Sequence, residues 1–346
     1  MLDTNETAII KLLKKQRKLS SKEVHEGIVS SISYATVKRV LAKLVAKNLV
    51  TIKGKGKGTR YIISPAYELL SPVDIEKYYE KEIDEREIKN GFNLELISGI
   101  LQNIEIFTAS ELEILQALQA KYENNIRQLT ETAYKKELER LAIDLSWKSS
   151  QIEGNTYSLL ETERLLKEKE TALGKTKEEA VMLLNHKYAI DFIVANPDYL
   201  SPLTVAKIED IHGMIVKEKK KKKNLRTRRV GISGTNYRPL DNKFQIKEAM
   251  HEMCALINDK KNVFENALLA LALISYIQPF MDGNKRTARI VSNALLIHYQ
   301  HCPISFRTVD SVAYKKAILL FYEQNNIFAL KEIFIRQFEF AVNTYF

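Results

Sequence analysis

Between Gln278 and Arg289 the chain reads Gln-Pro-Phe-Met-Asp-Gly-Asn-Lys-Arg-Thr-Ala-Arg. Three cations, Lys285, Arg286 and Arg289, stand at or just after the triplet Asp282-Gly283-Asn284. Glycine and asparagine accept positive φ at little cost, so the triplet suits a tight turn that opens a helix. The head of such a helix carries unpaired N–H groups and the positive end of the helix dipole, to which the three cations add full charges. Arg286 and Arg289 are three apart and share a helix face. The chemistry predicted is capture of a polyphosphate, with Asp282 as an oxygen ligand for a divalent ion bridging it to the phosphates. Spacing alone is equally compatible with an ordinary helix start whose arginines are solvated.

The same residues resemble the signature of the Fic family of protein adenylyltransferases, His-x-Phe-x-Asp/Glu-Gly-Asn-Gly/Lys-Arg-x-x-Arg, at Phe280, Asp282, Gly283, Asn284, Lys285, Arg286 and Arg289. The resemblance spans about residues 95–340 and implies a mainly helical fold with a small β-hairpin flap. It implies transfer of AMP from ATP to a hydroxyl of a target protein, with Asp282 on Mg2+ and with the loop amides, Asn284 and both arginines around the phosphates. Lys285 completes that nucleotide-binding set. One position departs, because Gln278 stands where the family has its histidine. A carboxamide can orient a hydroxyl but cannot accept its proton near neutral pH, and loss of a general base costs about 10²- to 10⁴-fold in rate. A natural loss of activity, an introduced substitution and a changed chemistry are all compatible with the glutamine. So are a nucleotide-sensing module that regulates DNA binding, and the reverse reaction or another nucleotide donor on the same scaffold.

Upstream lies Ser149-Ser150-Gln151-Ile152-Glu153-Gly154. Ser149 and Glu153 are four apart and share a helix face, and Gly154 is a natural stop. The run resembles the family's inhibitory motif, Ser/Thr-x-x-x-Glu-Gly/Asn, which implies that Glu153 pairs with Arg289. Such a carboxylate would occupy a donor needed by the γ-phosphate and set like charge against it. A third stretch, Arg228–Pro239, has glycine and proline punctuating short extended pieces. Gly234, Thr235, Asn236 and Tyr237 resemble the family's flap, whose main-chain pairing would hold a target segment with little regard to side chains.

The elements required to position these groups are legible as apolar periodicity. Ala267–Ile277 reads as a buried helix before the loop and Thr287–Tyr299 as another after it. Leu94–Ile104, Leu112–Leu118, Ile126–Leu145, Glu179–Val194, Leu203–Met214, Tyr314–Tyr322 and Ile327–Phe340 complete a bundle. His212, without a paired acid or nucleophile in the sequence, is expected to pack or cap on its helix. Lys217–Lys223, six lysines around Glu218, reads as a solvated loop. Cys254 and Cys302 are isolated and are expected to be small buried hydrophobes, not a disulfide.

The chain has 346 residues, 45% hydrophobic and 28% charged, with no apolar run near 18 residues and no secretory signal at Met1–Lys15. That composition predicts a cytoplasmic protein of two or three domains with no membrane partner; the family resemblance adds that self-association is common. Net charge is +10, and residues 1–64 hold 14 of the 53 Lys plus Arg against 4 of the 43 Asp plus Glu, so the entire excess lies there. A small domain so charged suggests a polyanion, DNA first. Ile9, Ile10, Leu12 and Leu13 mark a first helix, Ser20 or Ser21 with Glu23 a second, and Ser33 caps a third over Tyr34–Lys47. Leu49–Ile52 and Arg60–Ile63 then flank a basic tip, Gly54–Gly58. Three helices and a hairpin resemble a winged helix-turn-helix, with Lys38, Arg39 and Lys43 on the third helix and Lys55, Lys57 and Arg60 on the wing as DNA-contact candidates. Winged helices also dock proteins, which the pattern leaves open. Residues 65–93, with Pro65, Pro72 and the charge-dense Asp74–Lys89, read as a polar linker or exposed helix before a Fic-type domain over 94–346, whose inhibitory helix lies near 145–155.

Overall fold

The computed structural model describes residues 3–28, 32–89, 91–216 and 224–346; the lysine run Lys217–Lys223 lies outside them. The chain divides into two compact units, Met1–Pro72 with Gln324–Asn326, and Val73–Glu323 with Ile327–Phe346.

In the first unit, α1 (Thr4–Gln16), α2 (Ser21–Gly27) and α3 (Tyr34–Ala46) precede β1 (Val50–Lys53), β2 (Arg60–Ile63) and a short α4 (Pro65–Leu70). Capping boxes at Asp3/Glu6 and Ser20/Glu23 start the first two helices, and Ser33 caps the third. Ile9, Leu13, Val24, Val37, Leu41, Leu44 and Val50 form the core. β1 and β2 pair antiparallel with Val50 opposite Ile63 and Lys53 opposite Arg60, and Leu19 bridges to Tyr61. The turn between them requires glycine at 54, where φ is +83° and a Cβ would lie 2.4 Å from the Gly58 carbonyl oxygen. Tyr67 of α4 packs on this core, so the unit continues beyond residue 64.

The second unit opens with α5 (Ile75–Tyr78) and a single π-turn at Leu96–Ile100. The helices α6 (Ala109–Gln128), α7 (Glu131–Ile152), α8 (Leu159–Glu168), α9 (Lys177–Ala195) and α10 (Val205–Ile215) follow. Next come α11 (Lys243–Asp259), α12 (Val263–Ile277), α13 (Asn284–His298), α14 (Ser311–Gln324) and α15 (Phe328–Tyr345). Every residue of α12 from Phe264 to Ile277 is buried, which marks it as the central helix of the bundle; α13 packs along it and α9, α10 and α7 pack on α13. Among the described residues no helix is long and apolar enough to cross a membrane, and Cys254 and Cys302 are buried free thiols.

Two expectations are corrected. Residues 228–239 contain no strand, so the expected flap hairpin is an extended segment with a turn at Ser233–Gly234; the glycine and proline that punctuate it leave too few consecutive paired residues for a ladder. The stretch 74–89 is not a free polar linker, because Arg86 is buried and paired with Glu323 at 3.2 Å. A charge-dense sequence conceals that one guanidinium has an interior partner.

Candidate functional site

The loop between α12 and α13 is built by its own side chains. Gln278 ends α12 in the left-handed region, φ 52° and ψ 56°, where Pro279 prevents continuation of the helix. Asn284 closes the turn: its Oδ1 accepts from Phe280 N at 2.8 Å, and its Nδ2 donates to Phe280 O at 2.8 Å and to Gln278 Oε1 at 2.9 Å. Its polar atoms therefore shape the loop. Gly283, at φ +80°, is the N-cap of α13 and takes a conformation that a side chain would strain. Gly283, Asn284, Lys285 and Arg286, the cap and first turn of α13, line a cleft of about 350 Å³. Its other walls are Ile152 and Glu153 at the end of α7, Val230–Ser233 of the flap, and Lys315, Ile318 and Leu319 on α14.

Arg289, wholly buried, lies one turn deeper and is wrapped by the end of α7. Its Nε donates to Ser149 Oγ at 2.7 Å, and its Nη2 donates to Ser149 O at 3.0 Å and to Glu153 Oε1 at 2.7 Å. Lys285 Nζ reaches the other carboxylate oxygen at 3.5 Å. The i, i+4 spacing of Ser149 and Glu153 thus becomes one grip on a single guanidinium, and Gly154 ends that helix at φ +100°. Burial alone would push the Glu153 carboxyl up, but Arg289 and then Lys285 outweigh it and hold it below the ordinary carboxylate value. Arg286 Nη2 lies 3.5 Å from Asp282 Oδ1, while its Nε is buried without a partner among the described residues. An unsatisfied guanidinium N–H at the wall of a polar cleft is a site for an incoming anion.

Gln278 is committed at both ends of its amide. Its Oε1 accepts from Asn284, and its Nε2 donates to Ser275 O at 2.5 Å and approaches Tyr322 Oη at 3.5 Å. His212 is buried, stacked on Phe280 with ring centroids 3.7 Å apart, and its Nε2 is 2.9 Å from Asp282 O; it braces the loop from α10. Asp282 is the one carboxylate of the loop, and its Oδ1 also accepts from Gly283 N at 2.7 Å. The described residues hold no cluster of three metal-ligating side chains. That donor set fits a magnesium ion that arrives on a triphosphate, which needs only one or two protein carboxylates.

Of the flap residues, Gly234, Thr235 and Asn236 lie at the turn, whereas Tyr237 is buried and donates its hydroxyl to Tyr276 O at 3.0 Å. Tyr237 therefore anchors the segment through its side chain. The sequence also concealed Arg226, whose guanidinium donates to Gln278 O at 2.6 Å, to Arg228 O at 2.9 Å and to Leu240 O, riveting the base of the flap to the loop. His186 on α9, 2.7 Å from Ser149 Oγ, and Tyr314, whose ring lies 5.4 Å from the Arg289 guanidinium, were likewise not assigned to the site from sequence. Each is a lone residue on an apolar helix face, with no local signal of its partner.

In the first unit, Lys38 and Arg39 are exposed on α3 and Lys55 and Lys57 on the wing tip. Lys43 instead pairs with Asp3 at 3.3 Å and Glu6 at 3.1 Å, and Arg60 donates to Lys57 O and Thr59 O. Both of these candidates are engaged within the unit, since acids capping α1 and α2 lie beside them.

Residues 202–296, which contain the flap and the whole loop, match the profile of the Fic/DOC family, and residues 2–68 match that of the penicillinase repressor. The second unit therefore contains a Fic-type core. Solved structures similar to the chain include Fic-1 (residues 134–508) of C. elegans, with 18% identity over 68% of this chain and 72% of that one and a TM-score of 0.61. A Fic-domain signaling protein of Bacteroides thetaiotaomicron has 21% identity over 66% and 96%, with a TM-score of 0.57. A Fic family protein of Desulfovibrio desulfuricans has 15% identity over 68% and 74%, also with a TM-score of 0.57. These likenesses concern the fold. The Fic profile begins after Glu153 and stops before α14, so Glu153 and the α14 wall of the cleft lie outside it.

Proposed function

We propose that the Fic domain binds ATP with magnesium in the cleft at the head of α13 and is built to transfer AMP to a hydroxyl of a target protein, held off by Glu153 and slowed by Gln278. The observation that carries this reading is the grip of Ser149 and Glu153 on the buried Arg289. A buried arginine aimed beside an anion-binding loop is costly unless a carboxylate or a phosphate meets it, and the two compete for the same N–H groups. In the open form the first-turn amides of α13, Arg286 and Arg289 hold the phosphates, and Asp282 would hold the magnesium, which draws charge from the phosphate oxygens. The target segment lies along the extended main chain of the flap, which has no ladder of its own, with Gly234, Thr235 and Asn236 at the turn. Its hydroxyl oxygen forms the new bond to the α-phosphorus, the bridge to the β-phosphate breaks, and pyrophosphate leaves. The proton released goes to solvent, since Gln278 can orient the hydroxyl but not deprotonate it.

A second reading has its own observation. The Gln278 amide is satisfied by Asn284 and Ser275, as a structural residue would be. This favours a nucleotide-sensing Fic domain whose output is DNA binding by the winged helix of residues 1–64, with Lys38, Arg39, Lys55 and Lys57 on the phosphates. Mass spectrometry of the protein incubated with ATP and magnesium separates the two. Under the transferase reading, the double variant Gln278→His with Glu153→Gly gains AMP on itself or on added lysate proteins, while neither single variant matches it. A double variant that binds ATP and transfers nothing supports the sensor and overturns the transferase.

A further inference from the structure

The flap forms one wall of the cleft, yet no backbone-to-backbone hydrogen bond joins its own described residues between 228 and 239. An extended segment without a ladder keeps its place only through side-chain anchors. Its base has Arg226 and Tyr237. Its tip is held from elsewhere: Arg86 Nη2 donates to Gly234 O at 2.8 Å, and Asn236 Nδ2 donates to Asp84 Oδ1 at 2.8 Å. Asp84 and Arg86 belong to the stretch 74–89 that the sequence presents as a linker.

That stretch also grips α14, the opposite wall. Arg86 Nη1 pairs with Glu323 Oε1 at 3.2 Å with both side chains almost fully buried, and Tyr78 donates its hydroxyl to Glu323 Oε2 at 2.7 Å. Tyr79 donates to Lys316 O at 2.9 Å, Lys316 pairs with Glu76 at 2.5 Å, and Lys89 N donates to Glu323 O at 2.8 Å. Tyr79 lies under the Arg86 guanidinium at 4.9 Å. On the inner side, the flap turn meets α14 directly: a Cβ at Gly234 would lie 3.2 Å from Leu319 Cδ1, and Leu319 lines the cleft. One strap therefore spans the two elements whose separation sets the width of the cleft.

We propose that the stretch 74–89 is a strap that holds the flap tip against α14, with Arg86 as its pin and Asp84 as a second tie. Arg86 is a positioning residue: it touches neither nucleotide nor target, but it fixes Gly234 and with it the main chain to which a target segment pairs. The inference rests on the nucleotide-cleft reading and deepens it, by assigning the width of that cleft to a segment outside the Fic profile.

Amide hydrogen exchange on the full-length protein tests the strap without any ligand. Arg86→Met combined with Glu323→Leu removes both buried charges together, so neither is left unpaired. Exchange of the buried Tyr237 amide, which donates to Thr235 Oγ1 at 3.0 Å and reports the flap peptide, is expected to rise about tenfold, while peptides of α12 and α13 are unchanged. Asp84→Ala, at an exposed position, is expected to give a smaller rise in the same peptide, and Arg86→Lys, which keeps the charge but not the fork, a rise between the two. If the double variant does not fold, Asp84→Ala and Arg86→Lys decide. An unchanged flap peptide overturns the strap, as does a uniform rise across all peptides, which would make Arg86 a plain stability residue. ATP titration of the same variants in the Glu153→Gly background adds the functional arm, with binding expected to weaken several-fold. Flap loosening without any ATP binding by Glu153→Gly would leave the strap standing and remove the nucleotide reading instead.

Discussion

Arg289 carries a full charge with no solvent access, so the groups within hydrogen-bond reach determine what the cleft accepts. Ser149 and Glu153 occupy its Nε and Nη2, and removing the carboxylate frees a charge-assisted bond that is typically 1.5–3 kcal/mol, or about 10- to 100-fold in competing affinity. The pH dependence follows from the direction of the Glu153 shift. Its carboxyl lies below the ordinary value of 4.5, so the charged carboxylate on Arg289 is present above that value and is lost only as pH falls through the depressed one. The ratio of ATP affinities between the Glu153→Gly variant and wild type is therefore expected to be the same at about pH 6 and pH 8. A ratio that collapses at pH 6 would place another titrating group in control. The nearest such group, His186, is held well below its ordinary value by burial, with Arg289 and Arg286 beside it, and stays neutral in that window. At this scale the sequence was most legible: Asp282 to Arg289 and Ser149 to Glu153 are short-range patterns. His186, Tyr314 and Arg226 were not, because their roles depend on partners far along the chain.

Among the elements, α12 and α13 were readable because their apolar periods are long and a turn of strong local preference separates them. The flap was not. Arg228–Pro239 has the composition of a hairpin, but its stability comes from buried anchors at both ends, and anchoring has no local sequence signature. Tyr237→Phe deletes the bond to Tyr276 O and is expected to cost about 1 kcal/mol, read as a lowered melting temperature with a retained fold. No loss would mean that the ring, not the hydroxyl, is the anchor. In the first unit, Glu6 accepts from Asp3 N and Lys47 while Lys43 pairs with it, and the Lys47 bond first, then that from Asp3, draws its carboxyl from 4.5 to about 2. A depressed carboxyl contributes stability above about 4.5 that is lost as pH falls through about 2. Glu6→Gln is therefore expected to destabilise the winged helix at neutral pH and to flatten its acid transition, by circular dichroism of the protein from pH 7 down to 2.

Across the whole molecule, charge and architecture separate along the chain. The +10 excess resides in residues 1–64, and the cleft lies in the second unit. Lys38, Arg39, Lys55 and Lys57 are exposed, and replacing all four by alanine is expected to reduce the salt slope of duplex-DNA binding by up to about four. Lys43→Ala, whose amine pairs with Asp3 and Glu6, is expected to alter stability more than that slope. An unchanged slope in the fourfold variant would retire DNA as the partner of this unit. The central claim belongs to the second unit: a carboxylate from α7 plugs a triphosphate cleft. Calorimetric titration of ATP with magnesium into wild type and Glu153→Gly tests it most directly. The account predicts that Glu153→Gly binds at least about tenfold more tightly, and equal affinity, or no binding by either, contradicts it.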